Sequence, residues 1–453
     1  MESLVDDGSR TIQRQVDVDT YTTGFFDVDR TVETIVKYGY RRIALQMPDE
    51  MLSDSSSVVH QIQERVPDAI VFVLGDTSYG SCCVDEVNAN HHNADFIVHY
   101  GQSCLSRTTA LPMLLVFGRK EWNDLSKCAA LVNANKEESL VILRDVGYEY
   151  KIDSFVKLLA ELGFRNVYVP PLDESYYDPK EEDVALPSSS IILGHRMELT
   201  DFDNCVYIGS PKNQIAQINL KLCRTRIMIL DPSTCTIQNA ERSIISKRFL
   251  KMQQAKDASV FGILVGTMGV QGYEKVIAHL KSIIANAGRK SYTFLMGKLN
   301  PQKLANFPIV DAYVLVACEQ NSLIDSKEFF QPIVTPWEIE IAFGQREWSE
   351  HYSCSFADLS IDKPLPQHDH DLPHFSTTSG TYLNPTTSKR ADAGDRHITI
   401  QYASVAGDAL STMSFRGLEP NKGDKEPAKA ISGQVGIASA LYSLDDSKKQ
   451  TPR

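Results

Sequence analysis

The chain has 453 residues, of which 42% are hydrophobic and 23% are charged, as is ordinary for a soluble globular protein of about three domains. Its formal net charge of -12 argues against non-specific binding to nucleic acid or to an anionic membrane surface. Residues 1–7 lack the basic and apolar parts of a signal peptide, and no apolar run approaches the roughly 18 residues of a membrane span. We therefore expect a cytoplasmic protein that binds neither membranes nor nucleic acid.

A polar, acidic arm over residues 1–28 precedes a regular alternation of apolar strands and helices. The predicted strands are Arg41–Met47, Ala69–Leu74, Phe96–Tyr100, Met113–Phe117, Leu140–Leu143, Val167–Pro170, Ser190–Leu193, Cys205–Gly209, Arg226–Leu230, Val260–Val265, Tyr292–Met296 and Val310–Val316. The predicted helices are Ser56–Val66, Ile152–Leu162 and Tyr273–Ala287. Almost continuously apolar strands that alternate with helices are typical of a parallel sheet with helices on both faces.

The alternation falls into three units of about 100 residues, a normal size for a domain. We therefore predict an α/β fold of three similar parallel-sheet domains, at residues 29–139, 140–240 and 241–350. Residues 351–453 form a low-complexity tail with a short ordered patch near 414–442. We expect the tail to be largely disordered, because it buries too little apolar surface to offset the entropy of ordering. Its histidines favour a solvated linker over a metal-binding tract; they are His368, His370 and His374.

Nine cysteines at irregular spacing, without a C-x-x-C pair, argue against a disulfide framework. Four of them nevertheless follow predicted strands. Cys82 and Cys83 follow the second strand of the first unit, and Cys104 follows its third strand. Cys318 follows the strand of the third unit that corresponds to the one before Cys104. Because ligands of parallel sheets bind at the carboxyl ends of strands, this placement predicts a metal or cluster site rather than core packing.

If the three units surround a common axis, these loops converge, and their thiolates could hold one iron–sulfur cluster. Three ligands in place of four would leave one iron open to a small molecule. In the second unit the loop after Ser190–Leu193 carries His195, for which ligation and an ordinary polar loop position are the two alternatives. We do not expect the remaining cysteines to be ligands; they are Cys128, Cys205, Cys223, Cys235 and Cys354.

The glycine-rich loop Gly266–Gly272 lies between a predicted strand and a predicted helix, as a phosphate or carboxylate cradle would. Gly266, Thr267 and Gly269 are therefore candidate cofactor-binding residues, with a tight strand-to-helix turn as the alternative. The loop has neither the lysine of a P-loop nor the spacing G-x-G-x-x-G. Since no Ser/His/Asp or paired-carboxylate arrangement stands out, the catalytic residues stay unknown.

Several of these motifs resemble the diphthamide-biosynthesis subunits, which make 2-(3-amino-3-carboxypropyl)histidine on translation elongation factor 2. The resemblance covers about residues 25–350, and part of the tail is similar to the eukaryotic second subunit. The matching segments are Leu45–Pro48, Gly75–Asp85, Asp95–Leu105, Gly266–Val270, Asp311–Cys318, Pro332–Glu338, Ser414–Glu419 and Ile431–Ala438.

The resemblance implies three α/β domains around a [4Fe-4S] cluster that cleaves S-adenosylmethionine to an aminocarboxypropyl radical. It implies one ligand at the Cys82 and Cys83 pair, without deciding between them, and another at Cys318. Where the family has a third cysteine, this chain has His195, and that departure separates the non-catalytic second subunit from its catalytic partner. Cys104 is then the best replacement ligand.

We therefore expect a heterodimer with a homologous catalytic first subunit, with elongation factor 2 as the protein substrate and a small electron-donor protein as a further partner. The cluster of this chain would help to reduce the cluster of the catalytic subunit. Two alternatives stay open. One is an independently active radical transferase in which His195 or an external ligand completes the site, and the other is a cluster-free structural partner.

Overall fold

The computed structural model describes residues 25–75, 82–172, 175–180, 191–197, 202–210, 213–324, 328–348, 352–365 and 374–383. Of the predicted N-terminal arm, residues 25–28 are described: Phe25 and Phe26 are buried in the core of the first sheet, and Val28 begins the first helix. His368, His370 and the patch near residues 414–442 lie outside the described residues. Within the described part of the chain, none of the helices has the length and apolar character that crossing a membrane requires.

The first sheet is built from β1 (Arg42–Gln46), β2 (Ile70–Leu74), β3 (Phe96–Tyr100), β4 (Met113–Val116) and β7 (Tyr176–Tyr177). Its helices are α1 (Val28–Tyr38), α2 (Ser55–Arg65) and α3 (Glu86–His91). The strands lie in the order β2-β1-β3-β4-β7, and only the short edge strand β7 is antiparallel to its neighbour. The register pairs Ile43 with Val71 on one side and with Phe96 on the other.

The second sheet is built from β5 (Leu140–Arg144), β6 (Val167–Tyr168), β10 (Asn204–Ile208), β11 (Arg226–Asp231) and β12 (Thr236–Asn239). Its helices are α4 (Leu125–Ala130), α5 (Ile152–Glu161) and α6 (Asn213–Lys221). The order is β12-β11-β10-β5-β6, with β12 as the antiparallel edge strand. A short 3-10 helix, Val146–Lys151, connects β5 to α5.

The third sheet is fully parallel and is built from β13 (Val260–Val265), β14 (Lys290–Leu295), β15 (Ala312–Val316) and β16 (Ile333–Val334). Its helices are α7 (Ser243–Asp257), α8 (Tyr273–Asn286), α9 (Pro301–Ala305) and α10 (Pro336–Ala342). The strand order is β14-β13-β15-β16.

One strand order recurs in all three sheets. The first strand lies between the second and the third, and the fourth lies beyond the third: β2-β1-β3-β4, β6-β5-β10-β11 and β14-β13-β15-β16. The predicted α/β fold of three similar parallel-sheet units is therefore confirmed. Because the strand order reverses beside the first strand of each sheet, each sheet has a crevice there at the carboxyl ends of its strands.

The segment Ser190–Leu193 is the main error in the predicted strands. Of its described residues, Ile191–Ile192 form β8, which pairs with His195–Arg196 (β9) as an antiparallel hairpin outside the large sheets. The turn residues Leu193 and Gly194 have φ values of 50° and 79°, which allow a two-residue hairpin. The second strand of this unit is β6 instead. A short apolar run does not distinguish a sheet strand from a hairpin strand.

Both faces of the central strands are buried, as the continuous apolar runs predict, whereas β14 at the edge of the third sheet is largely exposed. In β1, Ile43 and Leu45 pack into one core whereas Ala44 between them packs into another, because successive side chains point to opposite faces. The packing of the third sheet also continues past residue 350. Tyr352, Cys354 and Phe356 are buried, so the described residues 352–365 of the predicted tail belong to this packing.

A buried ion pair fixes two helices of the third unit. Arg248 of α7 donates to both carboxylate oxygens of Glu338 in α10, and the two side chains are 1% and 0% exposed. Tyr352 donates to Glu338 Oε1 at 3.0 Å. Glu338 also closes the capping box of α10 with Thr335. The Glu338 carboxylate thus accepts hydrogen bonds from the Arg248 guanidinium, from the Tyr352 hydroxyl and from the backbone at the start of α10.

Replacing Glu338 with glutamine should lower the free energy of unfolding by about 3–5 kcal/mol, because it leaves the buried Arg248 guanidinium without a counter-charge. Urea denaturation followed by circular dichroism measures the loss. The matched control is Glu347→Gln at an exposed position, which should stay within about 0.5 kcal/mol of the unaltered chain. Equal stability of the two variants would contradict the role given to the ion pair.

Candidate metal centre

Four cysteines from two sheets meet in one buried group. Cys82 and Cys83 lie between β2 and α3, Cys104 lies four residues beyond the end of β3, and Cys318 lies two residues beyond the end of β15. β3 and β15 are the third strands of their sheets, so Cys104 and Cys318 occupy corresponding positions in the repeat. The crevices of the first and third sheets therefore face the same space.

The four sulfurs, which we call the thiol group, lie within 4.8 Å of one another. Cys82 Sγ is 3.6 Å from Cys318 Sγ and 4.0 Å from Cys83 Sγ, and Cys83 Sγ is 3.7 Å from Cys104 Sγ. Each of the four residues is at most 7% exposed. Among the described residues, this is the one place where three or more histidine, cysteine or acidic side chains are near enough to share a metal ion.

Hydrogen bonds between backbone groups, and between the Gln46 side chain and the backbone, hold the loops of the thiol group together. The Cys104 N–H donates to the Cys82 carbonyl at 3.0 Å, which joins the two loops of the first sheet. The Gln46 side-chain amide, at the end of β1, donates to the Cys83 carbonyl and accepts from the Asp85 N–H, both at 2.8 Å. Since Gln46 uses both ends of its amide, it fixes the chain on either side of the Cys83–Asp85 turn.

The third sheet is fastened to the first by polar and close backbone contacts. The Gln320 amide donates to the Ser103 carbonyl at 2.8 Å. Thr267 Oγ1 lies 3.7 Å from Cys83 Sγ. At Gly269 an added Cβ would lie 2.2 Å from the Val84 carbonyl oxygen. Only glycine therefore allows the glycine-rich loop to lie this close to the backbone of Val84. The candidate cofactor-binding loop therefore packs directly against the thiol group.

The second unit supplies no thiol to the group, but its β8–β9 hairpin supports one of the loops of the group. An added Cβ at Gly194, in the turn of the β8–β9 hairpin, would lie 2.0 Å from a side-chain carbon of Leu105. Leu105 follows Cys104 and has a positive φ of 57°. A leucine in this region is strained, and the packed hairpin stabilises that conformation.

His195 is not part of the thiol group. It is buried, its Nδ1 is 3.0 Å from the Ile192 carbonyl, and its Nε2 accepts the Arg144 N–H at 3.2 Å. Burial lowers the pKa of His195 to about 3, so the ring is neutral at physiological pH. Both ring nitrogens are used by backbone groups, and His195 stabilises the hairpin instead of a metal. The alternative of an imidazole ligand is therefore wrong in this structure.

The other cysteines lie elsewhere. Cys205 is buried in β10, Cys354 is buried beside the third unit, and Cys223 is half-buried. Cys128 and Cys235 form a separate pair with their sulfurs 3.4 Å apart.

Thiol–thiol hydrogen bonds distribute protons unequally over the group. Contacts with the thiols of Cys318, Cys82 and Cys83 lower the pKa of Cys104 well below its usual value. The hydrogen bond between Cys82 and Cys104 raises the pKa of Cys82, and the hydrogen bond between Cys318 and Cys104 raises the pKa of Cys318. One proton leaves easily and the next leave with difficulty, because several thiolates this close repel one another. A bound cation would remove that repulsion, as metals that displace thiol protons do.

Two polar residues of this site carry no signal of their own in the sequence analysis. Asn321 Nδ2 donates to Cys82 Sγ at 3.1 Å, and Ser106 Oγ lies 3.2 Å from Cys104 Sγ. Each follows a predicted ligand by two or three residues. Closeness in sequence to a predicted ligand is the only feature that could have pointed to these two residues, and it does not show which way a side chain in a loop is directed.

The donor set fits a thiophilic metal centre. Four buried sulfurs without a carboxylate or imidazole favour zinc or an iron–sulfur cluster over magnesium or calcium. Fold and site together define an α/β protein of three repeated parallel-sheet units with a buried all-thiol centre between the first and the third.

Comparison with known proteins agrees with that definition. The family model for diphthamide synthesis proteins matches residues 47–353, and the chain belongs to this family. A relative in Schizosaccharomyces pombe, 2-(3-amino-3-carboxypropyl)histidine synthase subunit 2, is 36% identical over 94% of this chain and 92% of its own length. The protein of the same name in Gallus gallus is also 36% identical, over 94% of each chain. The resemblance seen in the sequence motifs is thereby confirmed.

A solved structure shares the fold. The crystal structure of Dph2 from Pyrococcus horikoshii with a 4Fe-4S cluster has a TM-score of 0.55 and covers 71% of this chain and 91% of its own. Its sequence identity is 21%, so it supports the architecture of the three sheets.

Replacing Gly269 with alanine should separate the glycine-rich loop from Val84 and loosen the thiol group, since the new methyl group overlaps a backbone oxygen. We expect a loss of about 1–3 kcal/mol in stability and faster reaction of the buried cysteines with a thiol reagent. Gly75→Ala is the matched control, because an added Cβ there meets nothing within 4 Å. Unchanged cysteine reactivity in Gly269→Ala would show that the close approach is dispensable.

Proposed function

We propose that this chain is the accessory subunit of the complex that performs the first step of diphthamide synthesis. In that step the 3-amino-3-carboxypropyl group of S-adenosylmethionine is transferred to a histidine of elongation factor 2. The support is the name that relatives carry over nearly their whole length, a histidine synthase subunit. A subunit name also supports a partner, for which we propose a homologous catalytic chain, in the cytoplasm.

For the thiol group we propose a [4Fe-4S] cluster held by Cys82, Cys83, Cys104 and Cys318. The all-sulfur donor set and its burial support this assignment, as does the 4Fe-4S cluster of the structurally similar Dph2 from Pyrococcus horikoshii. When bound, such a cluster takes up and releases single electrons, which would serve to keep the cluster of the catalytic subunit reduced.

The number of thiols supports the proposal that this chain is the accessory subunit. Four thiolates would supply one ligand to each iron of a four-iron cluster, whereas cleavage of S-adenosylmethionine would need an iron without a protein ligand. If Cys82 and Cys83 both coordinate, no such position would remain in this chain. We therefore assign the cleavage of S-adenosylmethionine to the partner and the storage of an electron to this chain. Burial of the four cysteines excludes water from the sulfurs.

The sulfur spacing favours a second candidate, a structural zinc ion. A tetrahedral ion with metal–sulfur bonds of about 2.3 Å holds its sulfurs about 3.8 Å apart. Three separations within the thiol group are close to this value, at 3.6, 3.7 and 4.0 Å. A four-iron cluster is larger than a single zinc ion and would need a wider spacing of these sulfurs. With zinc, the chain would be a redox-inactive partner that stabilises the catalytic subunit.

Replacement of Cys318 by alanine tests the proposal, because it removes the one thiol that the third sheet contributes. In the anaerobically purified complex, this variant should lose the iron and sulfide of the accessory chain while the two subunits stay associated. With limiting reductant, repeated turnover should fall at least several-fold while the first turnover persists. Iron and sulfide analysis, size-exclusion chromatography and product counting measure these effects.

Cys235→Ala is the matched control, since Cys235 is half-buried and lies outside the thiol group. It should keep full iron content and turnover. One zinc per chain without sulfide in the unaltered protein would favour the structural candidate. Full turnover of Cys318→Ala after complete loss of its iron would contradict the electron-storing role.

A further inference from the structure

The sulfurs of the thiol group have polar side chains beside them as well as one another. Asn321 Nδ2 is 3.1 Å from Cys82 Sγ, Ser106 Oγ is 3.2 Å from Cys104 Sγ, and Thr267 Oγ1 is 3.7 Å from Cys83 Sγ. Asn321 and Thr267 donate to their sulfurs, whereas the Cys104 thiol donates to Ser106 Oγ, whose own proton is available once Cys104 is a thiolate. Three different sulfurs therefore have a potential donor each, and Asn321 makes the shortest of these contacts.

The position of Asn321 is fixed by its own backbone. The residue ends a short 3-10 turn, Glu319–Asn321, directly after Cys318. Its N–H donates to the Cys318 carbonyl at 3.0 Å, and the next residue, Ser322, donates its hydroxyl to the same carbonyl at 2.8 Å. Asn321 is 8% exposed. The amide is thus held against Cys82 by the loop that also supplies Cys318.

A purely architectural explanation of Asn321 is weak. The link between the third-sheet loop and the first sheet is already made by the preceding residue, Gln320, through the Ser103 carbonyl. The Asn321 amide is directed at a sulfur, which accepts hydrogen bonds poorly as a thiol and well as a metal-bound thiolate. The geometry therefore suits a state in which Cys82 carries negative charge.

A donor at this distance acts on the electron affinity of a bound cluster. Reduction adds one negative charge, part of which resides on the cysteine sulfurs, so a hydrogen bond to a sulfur strengthens when the cluster is reduced. Hydrogen bonds to the sulfurs, charge and exposure are the features by which a protein sets the potential of such a cluster. Loss of a donor should make the potential more negative.

We propose that Asn321 is a positioning residue that raises the reduction potential of the cluster through its hydrogen bond to Cys82, with Ser106 acting in the same way on Cys104. This inference rests on the proposed function, since it requires the cluster. Cys104 lies in contact with Ser106, and once the thiol proton is displaced by a metal the Ser106 hydroxyl becomes the donor of that pair.

The test is a redox titration of the anaerobically purified complex, followed by the electron paramagnetic resonance signal of the accessory chain. Asn321→Leu keeps a similar volume and removes the donor. It should retain full iron and sulfide content and show a more negative midpoint potential. Asn306→Leu is the matched control, since Asn306 is exposed at the end of α9, and its potential should equal that of the unaltered chain.

Ser106→Ala provides a second variant in case Asn321→Leu does not assemble its cluster, and it should also shift the potential to more negative values. An unaltered potential in the cluster-loaded variants would overturn the inference while leaving the proposed function intact. Absence of iron and sulfide from the unaltered chain would instead contradict the proposed cluster and the electron-storing role that depends on it. The two failures are therefore distinguishable.

Discussion

Four thiols of two different sheets share one buried space, and the surrounding loops are arranged to satisfy that constraint. Their sulfurs lie within 4.8 Å of one another, a distance at which several unscreened thiolates repel strongly. The group is thus stable either with most protons retained or with a metal that binds all four. Because Cys318 comes from the third sheet and the other three come from the first, metal binding and the contact between these sheets are coupled.

The repeated strand order explains how the constraint is met. In each sheet the second strand lies on one side of the first strand and the third strand lies on the other. This change of direction leaves a crevice at the carboxyl ends of the strands. Cys104 and Cys318 follow corresponding strands in two copies of this topology, and Gly269 permits the backbone approach that brings the crevices together. The second copy adds no thiol to the centre and contributes a hairpin, whose Gly194 packs on Leu105 beside Cys104. The same strand order therefore supplies thiols in the first and third units and a packing surface for the Cys104 loop in the second.

The sequence predicted the strands and the meeting of the thiols well, because both follow from strong local patterns. Continuous apolar runs marked β3 and β13 to the residue, and the carboxyl-end rule brought distant cysteines together. The hairpin at residues 191–196 was missed because its apolar run is too short for its partner to be inferred. The packing of Tyr352 and Phe356 was missed because isolated apolar residues in a polar stretch show no periodicity. The direction of the Asn321 side chain depends on a loop conformation that no pattern encodes.

We propose above all that the four thiols close the metal centre, so that electrons would be stored here and S-adenosylmethionine would be cleaved elsewhere. A Mössbauer spectrum of the chain, reconstituted with isotopically enriched iron and recorded with and without S-adenosylmethionine, tests this claim most directly. The account predicts four irons in tetrahedral sulfur coordination whose spectrum does not change when S-adenosylmethionine is added. A single iron whose signal shifts on that addition would show an open coordination position and would contradict the account.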